Sequence, residues 1–218
     1  MSVTSAWELL IYRLPTQPSR VRVAVWRELR RLGALPLQQG VVAMPAVERF
    51  RARLAEIEHR IETEGGSSYR FALDNLDAAQ VERLRGEWNA LREQEYAEIV
   101  EECETKFAKE IEFEIFRGNL TSGEAEEIEA DLDKIRAWFV RVGERDLFGA
   151  ANRAEAERAI GRSGELLEDF VERVYRAEEA AGGAVLERPL DLPWGSVGGA
   201  DDVVSLERKR TPRKGGAA

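Results

Sequence analysis

Apolar positions change their spacing several times along the first 76 residues, and each change marks an element. Trp7 to Pro15 (Trp-Glu-Leu-Leu-Ile-Tyr-Arg-Leu-Pro) is a nearly continuous apolar run closed by a residue that cannot pair, which predicts a buried strand. From Ser19 the spacing becomes three and four at Val21, Val25, Leu29 and Leu32, the period of a helix ending at the C-cap Gly33. Leu35–Gln39 and Val41–Met44 read as two short strands meeting at Gly40, as a hairpin or a bulged strand, with Pro45 closing the second. Val47, Phe50, Leu54, Ile57 and Ile61 restore the helical period until Gly65-Gly66, and Tyr69–Leu73 reads as an edge strand. Strand, helix, two strands, helix, strand is the split βαβ order, an antiparallel sheet with two helices on one face. The expected fold class is therefore α+β, a ferredoxin-like βαββαβ head over residues 1–76 followed by a helical half.

The rest is helical in pattern. Asp77 is a predicted N-cap, and Leu84, Trp88, Leu91, Ile99, Cys103, Phe107, Ile111 and Ile115 form a stripe on what reads as one long helix. Thr121 with Glu124 is a capping-box pattern opening a second helix, with Ile128, Leu132, Ile135 and Phe139 inward. Asn152 with Glu155 repeats the pattern, and a third helix is expected to run to about Ala181, weakened by Gly161, Ser163 and Gly164. Residues 77–181 are thus expected to be a three-helix, acidic half packed on the head. From Gly182 the periodicity fails, and 182–218 is expected to be a flexible basic tail.

Charge refines this picture. The chain carries a net −9, and residues 77–134 alone hold 18 acids against 7 Lys plus Arg. Against that background the first helix is an island: Arg20, Arg22, Arg27, Arg30 and Arg31 face a single acid, Glu28. Several arginines on one short helix suit an anionic partner, because guanidinium grips phosphate in a bidentate fork and releases its counterions. The alternative is internal, with these arginines paired to the acidic helices. The tail repeats the basic theme at Arg208, Lys209 and Arg210.

Catalytic and metal chemistry find little support. The single Cys103 excludes an internal disulfide and a Cys-pair zinc site. It lies on an apolar stripe beside Glu101, Glu102 and Glu104, which reads as an inert buried thiol. His59, between Glu58 and Arg60, reads as solvated, and the glutamates at 110, 112, 114, 124, 126, 127 and 129 read as solvated faces. No catalytic residue, metal site or cofactor is expected. The chain has no apolar run long enough to span a bilayer and no secretory leader pattern, so no membrane is expected and cytoplasmic residence is the default.

Three stretches resemble the N-terminal domain family of the chromate-resistance regulator ChrB: Trp7 to Pro15, Arg22 to Ala34, and Leu37 to Pro45. Arg145-Asp146-Leu147-Phe148-Gly149 and Arg153-Ala154-Glu155-Ala156-Glu157 look similar to it too, so the resemblance spans about residues 7–176. It implies a DNA-associated regulator of chromate efflux, with a head similar to that of PaaX-type repressors and small CRISPR-associated nucleases. Those nucleases place an Asp at the end of the first strand, where this chain has Arg13-Leu14-Pro15. Full-length members of the family carry a second, sensing domain, which this chain is expected to lack or to obtain from a separate protein.

The function expected from these readings is a non-enzymatic chromate-resistance regulator or accessory protein that binds DNA, or an oxyanion such as chromate, through the arginines of the first helix. The other expectation is an interaction module, a head that forms homodimers edge to edge while the acidic helices dock another protein.

Overall fold

A computed structural model of the chain describes residues 6–186. The head contains β1 (Trp7–Arg13), α1 (Ser19–Leu32), β2 (Leu35–Gln38), β3 (Val41–Pro45), α2 (Glu48–Thr63) and β4 (Ser67–Leu73), in the order expected. The sheet runs β2-β3-β1-β4 with every neighbouring pair antiparallel. β1 stops at Arg13, two residues before Pro15, and the β2–β3 ladder slips between Pro36 and Gln38, a bulge beside the Gly40 turn.

Register separates the two faces of the sheet. Leu10 stands opposite Val42 and Glu8 opposite Met44, and this face packs on α2, where Glu8 meets Arg51 at 2.7 Å and Arg70 of β4 meets Glu58 at 3.3 Å. The opposite face pairs Leu9 with Phe71 and Ile11 with Tyr69, and Tyr69 and Phe71 are exposed.

Beyond the head, α3 (Ala78–Glu101), a π-helical segment (Glu102–Phe107) and α4 (Ala108–Arg117) form one rod, followed by α5 (Ser122–Gly143) and α6 (Arg153–Leu186). The expected long helix is thus present, with a π turn that periodicity did not reveal. Ile99, Cys103, Phe107 and Ile111 recur every four residues, and in an α-helix each such step overshoots a full turn by about 40°. The wider π turn advances less per residue and returns the stripe to the core side, where all four are buried.

Asp77 caps α3 in a full capping box with Gln80. Thr121 caps α5 by accepting from the Glu124 amide at 3.3 Å, but the Glu124 carboxylate is turned to Asn119 at 2.8 Å. Asn152 stands immediately before α6, and its side-chain N–H donates to the carbonyl of Glu93 at 3.3 Å. α6 runs unbroken through Gly161–Gly164, and Ser163 is buried beside Cys103, so small residues here admit close helix packing rather than interrupting the helix. It also continues past Ala181 to Leu186. The remainder of the tail, with Arg208, Lys209 and Arg210, lies outside the described residues.

Two cores result, and α3 serves both. Trp88 is fully buried in the head core with Trp7, Leu10, Met44 and Phe50, whereas Tyr96 and Ile99 begin the core of the helical half with Leu132 and Phe170. Trp88 lies 6.0 Å from Trp7, edge to face, and 5.9 Å from Phe50. The α3 rod is therefore the element through which the helical half is packed on the head. Among the described residues no helix is long and apolar enough to cross a membrane.

A candidate anion-binding cleft

Helix α1 buries Val21, Val25 and Leu29 against the sheet, and this orientation sends every arginine of the helix outward. Arg20, Arg22, Arg27, Arg30 and Arg31 are all exposed, and none forms an ion pair with another described residue. The one acid of the helix, Glu28, pairs instead with Arg60 of α2. Internal pairing with the acidic half, the alternative left open by composition, is not what these side chains do.

Arg20, Arg27 and Arg31 lie on one ridge, seven and four residues apart, about 16 Å long. The C-terminal end of that ridge overlooks a cleft of about 970 Å³ between α1, α2, α3 and the end of α5. Seven arginines line it, Arg27, Arg30, Arg31, Arg49, Arg53, Arg141 and Arg145, against the glutamates 95, 98 and 144. Glu95 is already neutralised, 2.6 Å from Arg92 and 2.9 Å from Arg145. Arg53 pairs with Glu56, and Arg49 donates to the main-chain carbonyl of Glu144. Arg30 lies over the Trp26 ring at 5.5 Å. Arg27, Arg31 and Arg141 face solvent without a carboxylate partner among the described residues. Arg20 and Arg22, nearer the start of the helix, do not line the cleft.

A rigid floor supports this surface. Arg145 donates from Nε to the carbonyl of Arg141 at 3.0 Å and from Nη1 to those of Arg30 and Arg31 at 3.4 Å each, and Arg92 Nη1 donates to the carbonyl of Gly33 at 3.3 Å. Two guanidinium groups thus bond the last carbonyls of α1, at the negative end of its dipole, that of Arg30 also accepting from the Gly33 amide at 3.0 Å. Burial pulls Arg92 below its ordinary value, against the pull of Glu95. The indole N–H of Trp88 donates to the Arg145 carbonyl at 2.9 Å. Asp146 accepts from the amides of Gly149 and Ala150 at 3.0 and 2.9 Å and from the Tyr96 hydroxyl at 3.3 Å, and Phe148 stacks on Trp7 at 6.0 Å. Two stretches far apart in sequence, Gly33-Ala34 and Arg145 to Gly149, are here one junction.

Next to the cleft, and sharing Trp26, Arg30, Glu95 and Glu98 with it, a second cavity of about 470 Å³ is walled by Leu29, Pro36, Val42 and Leu91. Tyr12 lines it, its phenol pushed up by burial.

Sequence reasoning found the α1 arginines but missed Arg49, Arg53 and Arg141. The first two had a local signal: Arg49 and Arg53 are four apart in Glu-Arg-Phe-Arg-Ala-Arg, on one face of α2. Arg141 carried none, because only the packing of α5 brings it to α1. The other candidates stay outside the site. Cys103 is buried, its thiol pushed up by burial first and then by Glu102 and Glu104, while a hydrogen bond with Ser163 opposes the rise. His59 is exposed. Among the glutamates expected to be solvated, Glu114 is buried and held by Asn119 at 2.7 Å and Arg117 at 3.3 Å, because the turn after α4 folds back over it. Among the described residues no cluster of His, Cys, Asp or Glu is arranged to hold a metal.

This α+β head with its helical half and arginine-lined cleft can be set beside known proteins. Residues 22–181 match the family described as Protein ChrB, N-terminal, so the chain belongs to that family. It is also similar to Protein ChrB of Cupriavidus metallidurans, 32% identical over 97 residues. That alignment covers 44% of this chain and 29% of the relative.

Proposed function

We propose that this chain acts in chromate resistance as a regulatory or accessory protein, and that it binds duplex DNA through the arginines of α1. The carrying observation is the exposed ridge of Arg20, Arg27 and Arg31, flanked by Arg30 and extended into the cleft by Arg141, all without ion-pair partners among the described residues. An unpaired guanidinium row of about 16 Å is roughly the rise of five base pairs, so it can track a phosphate backbone. Membership of the family supports the regulatory reading, and chromate, a dianion, is a small ligand of the same chemistry for the cleft. The role is one of binding, not catalysis.

The test is the affinity for duplex DNA from the region upstream of the reading frame, measured against salt. The expected result is a linear fall of log K with log salt, the slope shrinking by about one for each of Arg27, Arg30 and Arg31 changed to Ala. Binding insensitive to salt, or a triple variant with an unchanged slope, would overturn the reading.

Tyr69 and Phe71 are 63% and 49% exposed on the edge strand β4, an apolar sheet edge suited to a second copy of the chain. Sedimentation that shows a dimer, lost in Tyr69→Lys, would favour an interaction module.

A further inference from the structure

The arginine cleft and the apolar pocket beside it meet at Trp26, Arg30, Glu95 and Glu98, which line both; Glu95 is paired with Arg92 and Arg145, and Glu98 accepts from the Gln94 amide. The pocket, about 470 Å³, falls in the range of small-ligand sites, and the cleft supplies the cationic end that an ionic ligand needs. Its walls are apolar at Leu29, Val42 and Leu91, while its rim carries the side-chain amides of Gln38, Gln39 and Gln94. The Gln38 and Gln39 amides each present a donor and an acceptor, the pair that reads the edge of a nucleobase, whereas Gln94 already donates to Glu98 at 3.1 Å. Trp26 is half exposed at the boundary, held there by the Arg30 guanidinium at 5.5 Å.

We infer that pocket and cleft together take a mononucleotide, with the base among Trp26, Leu29 and Leu91 and the phosphate on Arg30 with Arg27 and Arg31. Inorganic oxyanions would engage the cleft alone and leave the apolar cavity empty. A nucleoside would fill the cavity and leave the arginines unused. The combination selects a flat heteroaromatic body carrying a phosphate. This site touches the DNA-binding reading only through its shared arginines, so each stands or falls on its own measurement.

The full 218-residue chain is titrated calorimetrically with AMP and GMP, with adenosine and guanosine, and with inorganic phosphate. At least one nucleotide is expected to bind tenfold or more tightly than both its nucleoside and phosphate. Trp26→Ala and Arg30→Gln, both at exposed positions, are expected to weaken it at least fivefold while circular dichroism shows an unchanged fold. Equal affinity for phosphate and nucleotide, no nucleotide binding, or full affinity in Trp26→Ala overturns the inference. Trp26→Ala removes no charge, so the salt slope for duplex DNA should survive it. Loss of nucleotide binding with that slope intact therefore supports the pocket, and absence of any slope in the parent chain counts against the DNA reading alone.

Discussion

A side chain at position 33 would collide with Arg145: a Cβ on Gly33 would lie 2.7 Å from the Cδ of Arg145 and 3.1 Å from Nη1 of Arg92. Gly33 has φ +84°, closing α1 in the left-handed conformation, and the space it leaves open is filled by the two guanidinium groups that bond the helix C-terminus. The glycine answers two demands at once, backbone handedness and close approach.

Gly33→Ala should therefore destabilise the protein by about 1–3 kcal/mol, from left-handed strain and overpacking. The drop in Tm should be roughly 3–10 °C by thermal denaturation. An unchanged Tm would mean that the junction yields and does not fix α1.

Trp88→Phe keeps an aromatic ring in the head core but removes the 2.9 Å indole donor from the Arg145 carbonyl, which keeps only the Leu147 amide at 3.1 Å. A loss of about 1–2 kcal/mol is expected in urea denaturation, with an unchanged m-value. Because the head core itself remains packed, the variant should still unfold in one transition.

Tyr96 supplies a pH test. Burial first, then the Asp146 carboxylate, pushes its phenol up to about 12 from an ordinary value near 10. The protonated phenol is the form the fold favours, so this stabilisation is fully present below pH 10 and is lost as pH rises toward 12. Tyr96→Phe has no such group, and its Tm should decline less steeply than that of the parent between pH 9 and 11. Parallel curves would refute the assignment.

Glu110 gives a test of the same sign nearer neutrality. Its carboxyl is raised by partial burial and then by Asp131, Glu124, Glu114 and Glu127. A raised carboxyl favours the fold while protonated, and that contribution disappears as pH climbs through its folded value, so at pH 7 the ionised group costs stability. Glu110→Gln should raise Tm at pH 7 and leave it nearly unchanged at pH 4. A variant less stable than the parent at pH 7 would show the acidic cluster to be harmless.

Much of the architecture was readable in one dimension because its determinants are local. Period-two and period-3.6 spacing, Gly33 after a helical run and Asp77 before one depend on neighbours within a few residues, so β1 to β4 and α1 to α3 appear where their patterns place them. Prediction from periodicity failed where partners are distant. The π turn compensates a drift that matters only once α5 and α6 press on the rod, and Gly161–Gly164 sit in unbroken helix because Ser163 packs beside Cys103.

From its residues alone the chain determined an α+β order, an arginine-rich first helix and an acidic helical half, since composition and spacing are properties of the string. Whether those arginines were free or paired was decided in three dimensions, where Glu28 turns to Arg60, Glu95 is claimed by Arg92 and Arg145, and α5 delivers Arg141 across the cleft. Net charge counts ions, but only packing sets the distances between them, and over such distances Coulomb attraction and its screening decide which cations remain available.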